Sequence, residues 1–190
     1  MDNFAEQLVK KEPTGADKIK KMTYLVGGIA VTLILAALGI IFLGRGIITF
    51  ILLVTAAASG YGTFFLFRST KVEYEYTFTN GDLDIDKIIA QTKRKEMLTI
   101  QVSKFTNFGK YDDKTPEETS DMTVILATDN IASHEFYADF PHEEYGSARL
   151  VFSPNEKMLS NIKKNLHPSI KNKVSRELQT SYISNMWDEI

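Results

Sequence analysis

Apolar residues run almost unbroken through two stretches near the start of the chain, then alternate with polar ones over most of its remaining length. Met22–Leu43 and Ile47–Phe67 hold no aspartate, glutamate, lysine or histidine, and the single charge between Met22 and Phe67 is Arg45. A helix rising about 1.5 Å per residue needs roughly 20 residues to cross a hydrocarbon layer about 30 Å thick. Both runs have that length. Lipid offers backbone groups no partners and a helix satisfies them internally, so both are predicted to be transmembrane helices. Only Gly44-Arg45-Gly46 separates them, which makes the pair a tight antiparallel hairpin. A buried hairpin of a soluble protein would carry a polar stripe. A signal peptide would have a shorter apolar core and no second span behind it.

The flanks set an orientation. Lys10, Lys11, Lys18, Lys20 and Lys21 precede the first span, Arg68 and Lys71 come after the second, and Arg45 alone marks the turn. Positive residues are retained in the cytoplasm. Lys18, Lys20, Lys21 and Arg68 therefore read as the topology-setting flank of a multi-pass plasma-membrane protein with both termini cytoplasmic. Gly27, Gly28, Ala36, Ala37 and Gly39 in the first span, and Ala56–Ser59, Gly60 and Gly62 in the second, allow close backbone approach within the hairpin or between copies. Residues 1–21 form a polar lead-in. Phe4, Leu8 and Val9 are predicted to make one face of a short helix on the inner leaflet, ended by Pro13-Thr14-Gly15, or else to be disordered.

Beyond Thr70 the period changes to two. Val72, Tyr74, Tyr76 and Phe78 alternate with Glu73, Glu75, Thr77 and Thr79, as in a strand with one buried face. Asn80-Gly81 supplies a hairpin turn, and Leu83 and Ile85 return between Asp82, Asp84 and Asp86. Further strands are predicted at Met97–Val102, Phe105–Tyr111, Met122–Thr128, His134–Phe140 and Arg149–Phe152. Lys93-Arg94-Lys95 is read as a turn, and Asp112–Asp121 as an acidic loop. Ser153 and Glu156 form a capping box with Pro154 at the first helical position, opening a helix whose apolar face is Met158, Leu159, Ile162 and Leu166. After Pro168, residues Ile170, Val174 and Leu178 predict a second helical stretch. The expected organisation is a hairpin over residues 22–67, an α+β domain over 71–167 and a helical tail over 168–190.

About seven antiparallel strands and then one amphipathic helix is the element order of the pleckstrin-homology (PH) superfold. The paired spans, the strand pair Tyr74–Ile85 around Asn80-Gly81, the region Lys93–Tyr111 and Phe152-Ser153-Pro154 resemble small bacterial membrane proteins of the YcxB-like type. That resemblance implies a cytoplasmic PH-like barrel or sandwich capped by its last helix. A generic β-sandwich with a terminal helix is the alternative.

Charge and chemistry narrow the function. From Lys71 onward there are 15 basic and 20 acidic residues, so no clustered positive field invites nucleic acid. The chain has no cysteine, hence no disulfide, thiolate metal site or cysteine nucleophile. Asp82, Asp84 and Asp86 have the spacing of a calcium loop, but Lys87 and Lys93 stand where glycine and glutamate are needed. His134, Glu135, His142, Glu143 and Glu144 match no metal motif. His167 is read as a favourable charge at the end of the closing helix. No nucleophile elbow or phosphate-binding glycine loop occurs. The expectation is a protein that is not an enzyme and holds no cofactor or metal. It would be a membrane-anchored binding or adaptor module, its partners the bilayer and a protein, a second copy included. Lys93, Arg94 and Lys95 are the candidate contacts for lipid or partner. The other expectations are anionic-lipid sensing by those residues, at about 1 kcal/mol per cation near the surface, or an accessory subunit of a membrane enzyme or transporter.

Overall fold

The computed structural model describes residues 3–172. Its contacts divide the chain into a helical unit and a unit of two sheets with a closing helix.

The helical unit contains α1 (Gly15–Ile41) and α2 (Ile47–Ser69). Thr14, expected to end a helix, instead caps α1. Its Oγ1 accepts from the Asp17 N–H while Asp17 Oδ2 accepts from the Thr14 N–H, both at 3.2 Å. Gly44 and Gly46 adopt positive φ in the connecting turn, a conformation glycine reaches without side-chain strain. The antiparallel helices meet through small residues. A Cβ on Gly28 would lie 2.1 Å from Thr63 Oγ1, and one on Gly39 2.8 Å from Leu53. Thr32 Oγ1 donates to the Gly28 carbonyl at 2.8 Å and lies 3.2 Å from Ser59 Oγ. Gly27 and Gly62 face open space. Only 6% and 11% of the most apolar stretches of α1 and α2 are buried. Length, composition and exposure suit both to a bilayer.

The other unit has two four-stranded sheets, ordered β1-β2-β3-β4 and β5-β7-β8-β6. The first holds β1 (Phe4–Lys10), β2 (Val72–Thr79), β3 (Asp82–Ile89) and β4 (Lys93–Gln101); the second holds β5 (Asn107–Lys110), β6 (Met122–Ala127), β7 (Phe136–His142) and β8 (Gly146–Phe152). Helix α3 (Glu156–Asn165) closes the chain of elements. Tyr76, Phe78, Leu83, Ile85, Ala138, Phe140, Leu150 and Phe152 fill the core with Met158 and Ile162 of α3. Tyr76 meets Phe152 edge-on, ring centres 5.9 Å apart. Each such large apolar side chain contributes about 1.5–3 kcal/mol by leaving water.

The described residues thus hold eight strands, and the extra one is the N-terminal segment. β1 pairs antiparallel with β2 from Phe4↔Thr79 to Lys10↔Glu73. The expected helix on the leaflet is replaced because Phe4 and Leu8, four apart, share a face in a strand as well as in a helix. They form the exposed face, and Ala5 and Val9 are buried. Gln7 locks the strand: its Nε2 donates to the Ser153 carbonyl at 2.8 Å and its Oε1 accepts from the Asn155 N–H at 2.7 Å. Residues before Pro13 therefore belong with the sheets, not with a separate lead-in.

Other boundaries move for local reasons. Tight 3-10 turns at Val102–Lys104 and Ala132–His134 take Val102 from the third predicted strand and push the sixth to Phe136–His142. Asn155, not Ser153, caps α3, accepting from the Met158 N–H at 2.8 Å, and Pro154 lies before the cap. His167 heads a helical run over 168–172, its Nδ1 2.8 Å from Ser169 Oγ, instead of closing α3. Val174 and Leu178 lie outside the described residues.

Lys93-Arg94-Lys95 opens β4, and the turn before it is made by Ala90-Gln91-Thr92. Ala90 and Gln91 both adopt positive φ, 55° and 60°, and the Thr92 N–H donates to the Ile89 carbonyl at 3.2 Å. Left-handed backbone costs a residue with a Cβ about 1–2 kcal/mol. Replacing Ala90-Gln91 by Asn-Gly, which favours this turn, is expected to stabilise the sheet unit by about 1 kcal/mol. A rise in the urea midpoint of the full chain in mild detergent checks it; an unchanged midpoint would deny the strain.

Candidate functional surfaces

One end of the helical hairpin is basic and the other nearly neutral. Lys18, Lys20 and Lys21 start α1, Arg68 ends α2, and Lys71 comes just after it. Lys20 Nζ lies 5.8 Å from the Tyr24 ring, Lys21 Nζ 4.8 Å from Phe67 and the Arg68 guanidinium 5.6 Å from Phe64. Such cation–π contacts are worth about 0.5–1 kcal/mol at exposed sites. They hold these cations against aromatic side chains at one end of the hairpin. At the opposite end Arg45 lies 5.9 Å from Phe42. The Ala90 N–H donates to the Lys71 carbonyl at 2.9 Å, which brings the β3–β4 turn and Lys93 into this unit.

Within the predicted trio, the middle residue is engaged by carboxylates. Arg94, on the sheet unit, is ion-paired with Glu75 and, at 3.6 Å, with Asp86. Lys95 is exposed on β4. Asp84 accepts from Thr99 Oγ1 at 2.6 Å, so the aspartates of β3 serve cross-strand pairs.

Two polar groupings in the sheet unit have no motif in the sequence. The first surrounds Asp129. Its Oδ1 accepts from the Ser153 hydroxyl at 2.8 Å and the Ile131 N–H at 3.0 Å, and its Oδ2 lies 3.1 Å from His134 Nδ1. Burial alone would raise the Asp129 pKa; the bonds from Ile131, Ser153 and His134 outweigh it and hold the carboxyl below its ordinary value. Thr128 Oγ1 meets Glu135 Oε1 at 2.5 Å and Ser153 Oγ at 3.0 Å. The Tyr76 hydroxyl donates to the Ala127 carbonyl and accepts from the Ser153 N–H at 3.2 Å. Burial pushes the Tyr76 phenol well above its ordinary value. A serine, a histidine and an aspartate are thus assembled, but the aspartate stands between the other two. A nucleophile must hydrogen-bond its base; here Ser153 bonds the acid. The cluster is a clamp. The Glu12 N–H donates to the Asp129 carbonyl at 3.0 Å and Asn130 Nδ2 to the Glu12 carbonyl at 2.7 Å, fixing the chain just past β1.

The second grouping is a buried ion pair. Arg149 Nε and Nη2 donate to the two Asp139 oxygens at 2.6 and 2.9 Å, with side chains 2% and 6% exposed. The remaining fork donates to the Pro116 carbonyl at 2.7 Å, so the acidic loop covers the guanidinium. Tyr137 lies 5.0 Å from it. The hydrogen bonds to Asp139 raise the Arg149 pKa further. The histidines considered as ligands are at opposite ends of β7, His134 on Asp129 and His142 stacked on Tyr145 at 4.7 Å.

Four strands end the sheets, and three are protected. β1 carries Glu6 and Lys10, β4 carries Lys93, Arg94, Lys95 and Glu96, and β5 is four residues long with Lys110. β6 reads Met-Thr-Val-Ile-Leu-Ala without a charge. It runs parallel to β8 on one side, and among the described residues no strand pairs with its other side. Leu126 is 56% exposed.

Two sheets closed by a terminal helix, together with a hairpin of two apolar helices in the same chain, place it in the class of PH-like domain proteins. The family model described as Bacterial PH-like domain (DUF6106) matches residues 1–173, and the chain belongs to that family. The match begins ahead of the helices, as does β1. No curated protein and no solved structure matches the chain.

Proposed function

We propose that this protein is a non-enzymatic, multi-pass adaptor of the cell membrane whose PH-like domain binds a partner protein at the cytoplasmic face. The uncharged edge of β6, which pairs with no strand among the described residues, carries this reading. Exposed edges invite strand addition, and natural sheets blunt them with charge, proline or short length. β6 alone has none of these, and an extended segment of a partner adds to such an edge by main-chain hydrogen bonds. The pairing of β1 with β2 supports the topology: strands before and after the hairpin meet, which requires an even number of crossings between them. The basic end of the hairpin is the end joined to these strands, and positive charge favours the cytoplasm. Anionic-lipid sensing through Lys93, Arg94 and Lys95 has less support, because Arg94 is paired with carboxylates. A membrane enzyme or transporter, with this chain as its accessory subunit, is one form such a partner takes.

A photo-crosslinker at Thr123 in native membranes tests the reading. A discrete protein adduct is expected, and Leu126→Lys, which adds the missing edge charge without entering the core, should remove it. An unaltered adduct in that variant, or recovery of the chain as a lone monomer from several detergents, would overturn the proposal.

A further inference from the structure

The cations at the basic end of the hairpin gather on the seam between its two helices. Gly28 of α1 packs against Thr63 of α2. Lys21 lies seven residues before Gly28, and Phe67 four after Thr63. Residues at those spacings share a helix face, so Lys21 and Phe67 continue the seam, with Lys21 Nζ 4.8 Å from the Phe67 ring. Arg68 comes next, its guanidinium 5.6 Å from Phe64. Little negative charge is at hand. The chain has no carboxylate between Asp17 and Glu73, and Asp17 Oδ2 accepts from the Thr14 N–H. Lys18, Lys20, Lys21, Arg68 and Lys71 make no ion pair among the described residues.

We propose that this seam binds the phosphodiester of an anionic phospholipid, with Lys21 and Arg68 donating to its oxygens from facing helices. The depth suits a headgroup. Lys21 directly precedes the apolar run Met22–Leu43, and Arg68 directly follows Ile47–Phe67, where hydrocarbon gives way to the polar layer. A guanidinium fork matches phosphate geometry, and an ammonium on a ring face keeps donors directed away from the ring. A zwitterionic phospholipid would bring its own ammonium among five cations, so a headgroup of net negative charge is favoured. The rings beside the cations favour an amphiphile over free phosphate, which would gain nothing from them. The inference rests on the hairpin spanning a bilayer and is independent of the β6 edge.

The full chain in nanodiscs of equal phosphatidylglycerol and phosphatidylethanolamine tests it. Lipids kept after transfer to mild detergent are counted by native mass spectrometry. The wild type should retain phosphatidylglycerol in several-fold excess. Lys21→Gln/Arg68→Gln should abolish that preference, with the disulfide yield of Thr32→Cys/Ser59→Cys unchanged as the sign that the helices still pair. Lys18→Gln/Lys71→Gln removes the same charge from the same end and should leave most of the preference. Equal loss in the two double variants would mean diffuse attraction and no seam site. Displacement of the lipid by excess inorganic phosphate would make the site one for free phosphate. Equal retention of both lipids by the wild type would overturn the proposal and leave the membrane reading standing. A chain that stays out of the discs would overturn both.

Discussion

Asp139→Ala should cost the sheet domain about 3–5 kcal/mol, because it leaves the Arg149 guanidinium buried without its counter-charge. Asp139 and Arg149 sit on neighbouring strands, and their bidentate contact has almost no access to water. At roughly 4–8 °C per kcal/mol for a domain of this size, the thermal midpoint of the full chain in mild detergent should fall by more than about 10 °C. Removing both charges with Asp139→Leu/Arg149→Met should recover most of the loss, since an apolar pair of similar volume carries no desolvation penalty. A single-variant cost below about 1 kcal/mol would be that of a surface ion pair, and would contradict the burial described.

Gly28→Leu is the second large effect, and it lies in the helical unit. The new side chain would start inside the volume of Thr63, so α1 and α2 must separate and the Thr32–Ser59 contact must break. Overpacking of this kind costs about 1–3 kcal/mol or more. Gly27→Leu, one residue away and facing open space, is the matched control. The absence of native cysteine makes the readout simple: with Thr32→Cys/Ser59→Cys, disulfide yield in membranes should drop sharply for Gly28→Leu and hold for Gly27→Leu. Equal yields would mean that the helices do not cross there.

The features legible along the chain are those with local signals. Two bilayer-length apolar runs show themselves by length, and Tyr74–Ile85 around Asn80-Gly81 shows its period of two and its turn. Strand β1 is different. Its seven residues have no clean alternation, and what fixes them is a ladder to residues more than sixty positions away together with the side chain of Gln7. The Asp129 clamp and the Asp139–Arg149 pair are equally non-local: ordinary polar residues become buried partners only when β6, β7 and β8 come together. The trio Lys93-Arg94-Lys95 shows the same limit. Three adjacent cations read as one patch along the chain, yet carboxylates of β2 and β3 neutralise the middle one. The open edge of β6 needed the strand order, because an uncharged strand is unremarkable until it lies outermost.

The placement of β1 ahead of the hairpin bears on how the protein is made and handled. On the ribosome the first strand emerges early and must wait, unpartnered, until both apolar helices and β2 have been synthesised. Completion of the first sheet thus depends on α1 and α2 having been made first. A water-soluble fragment cut after residue 70 would lack a strand from the outset, leaving β2 as a raw margin open to aggregation.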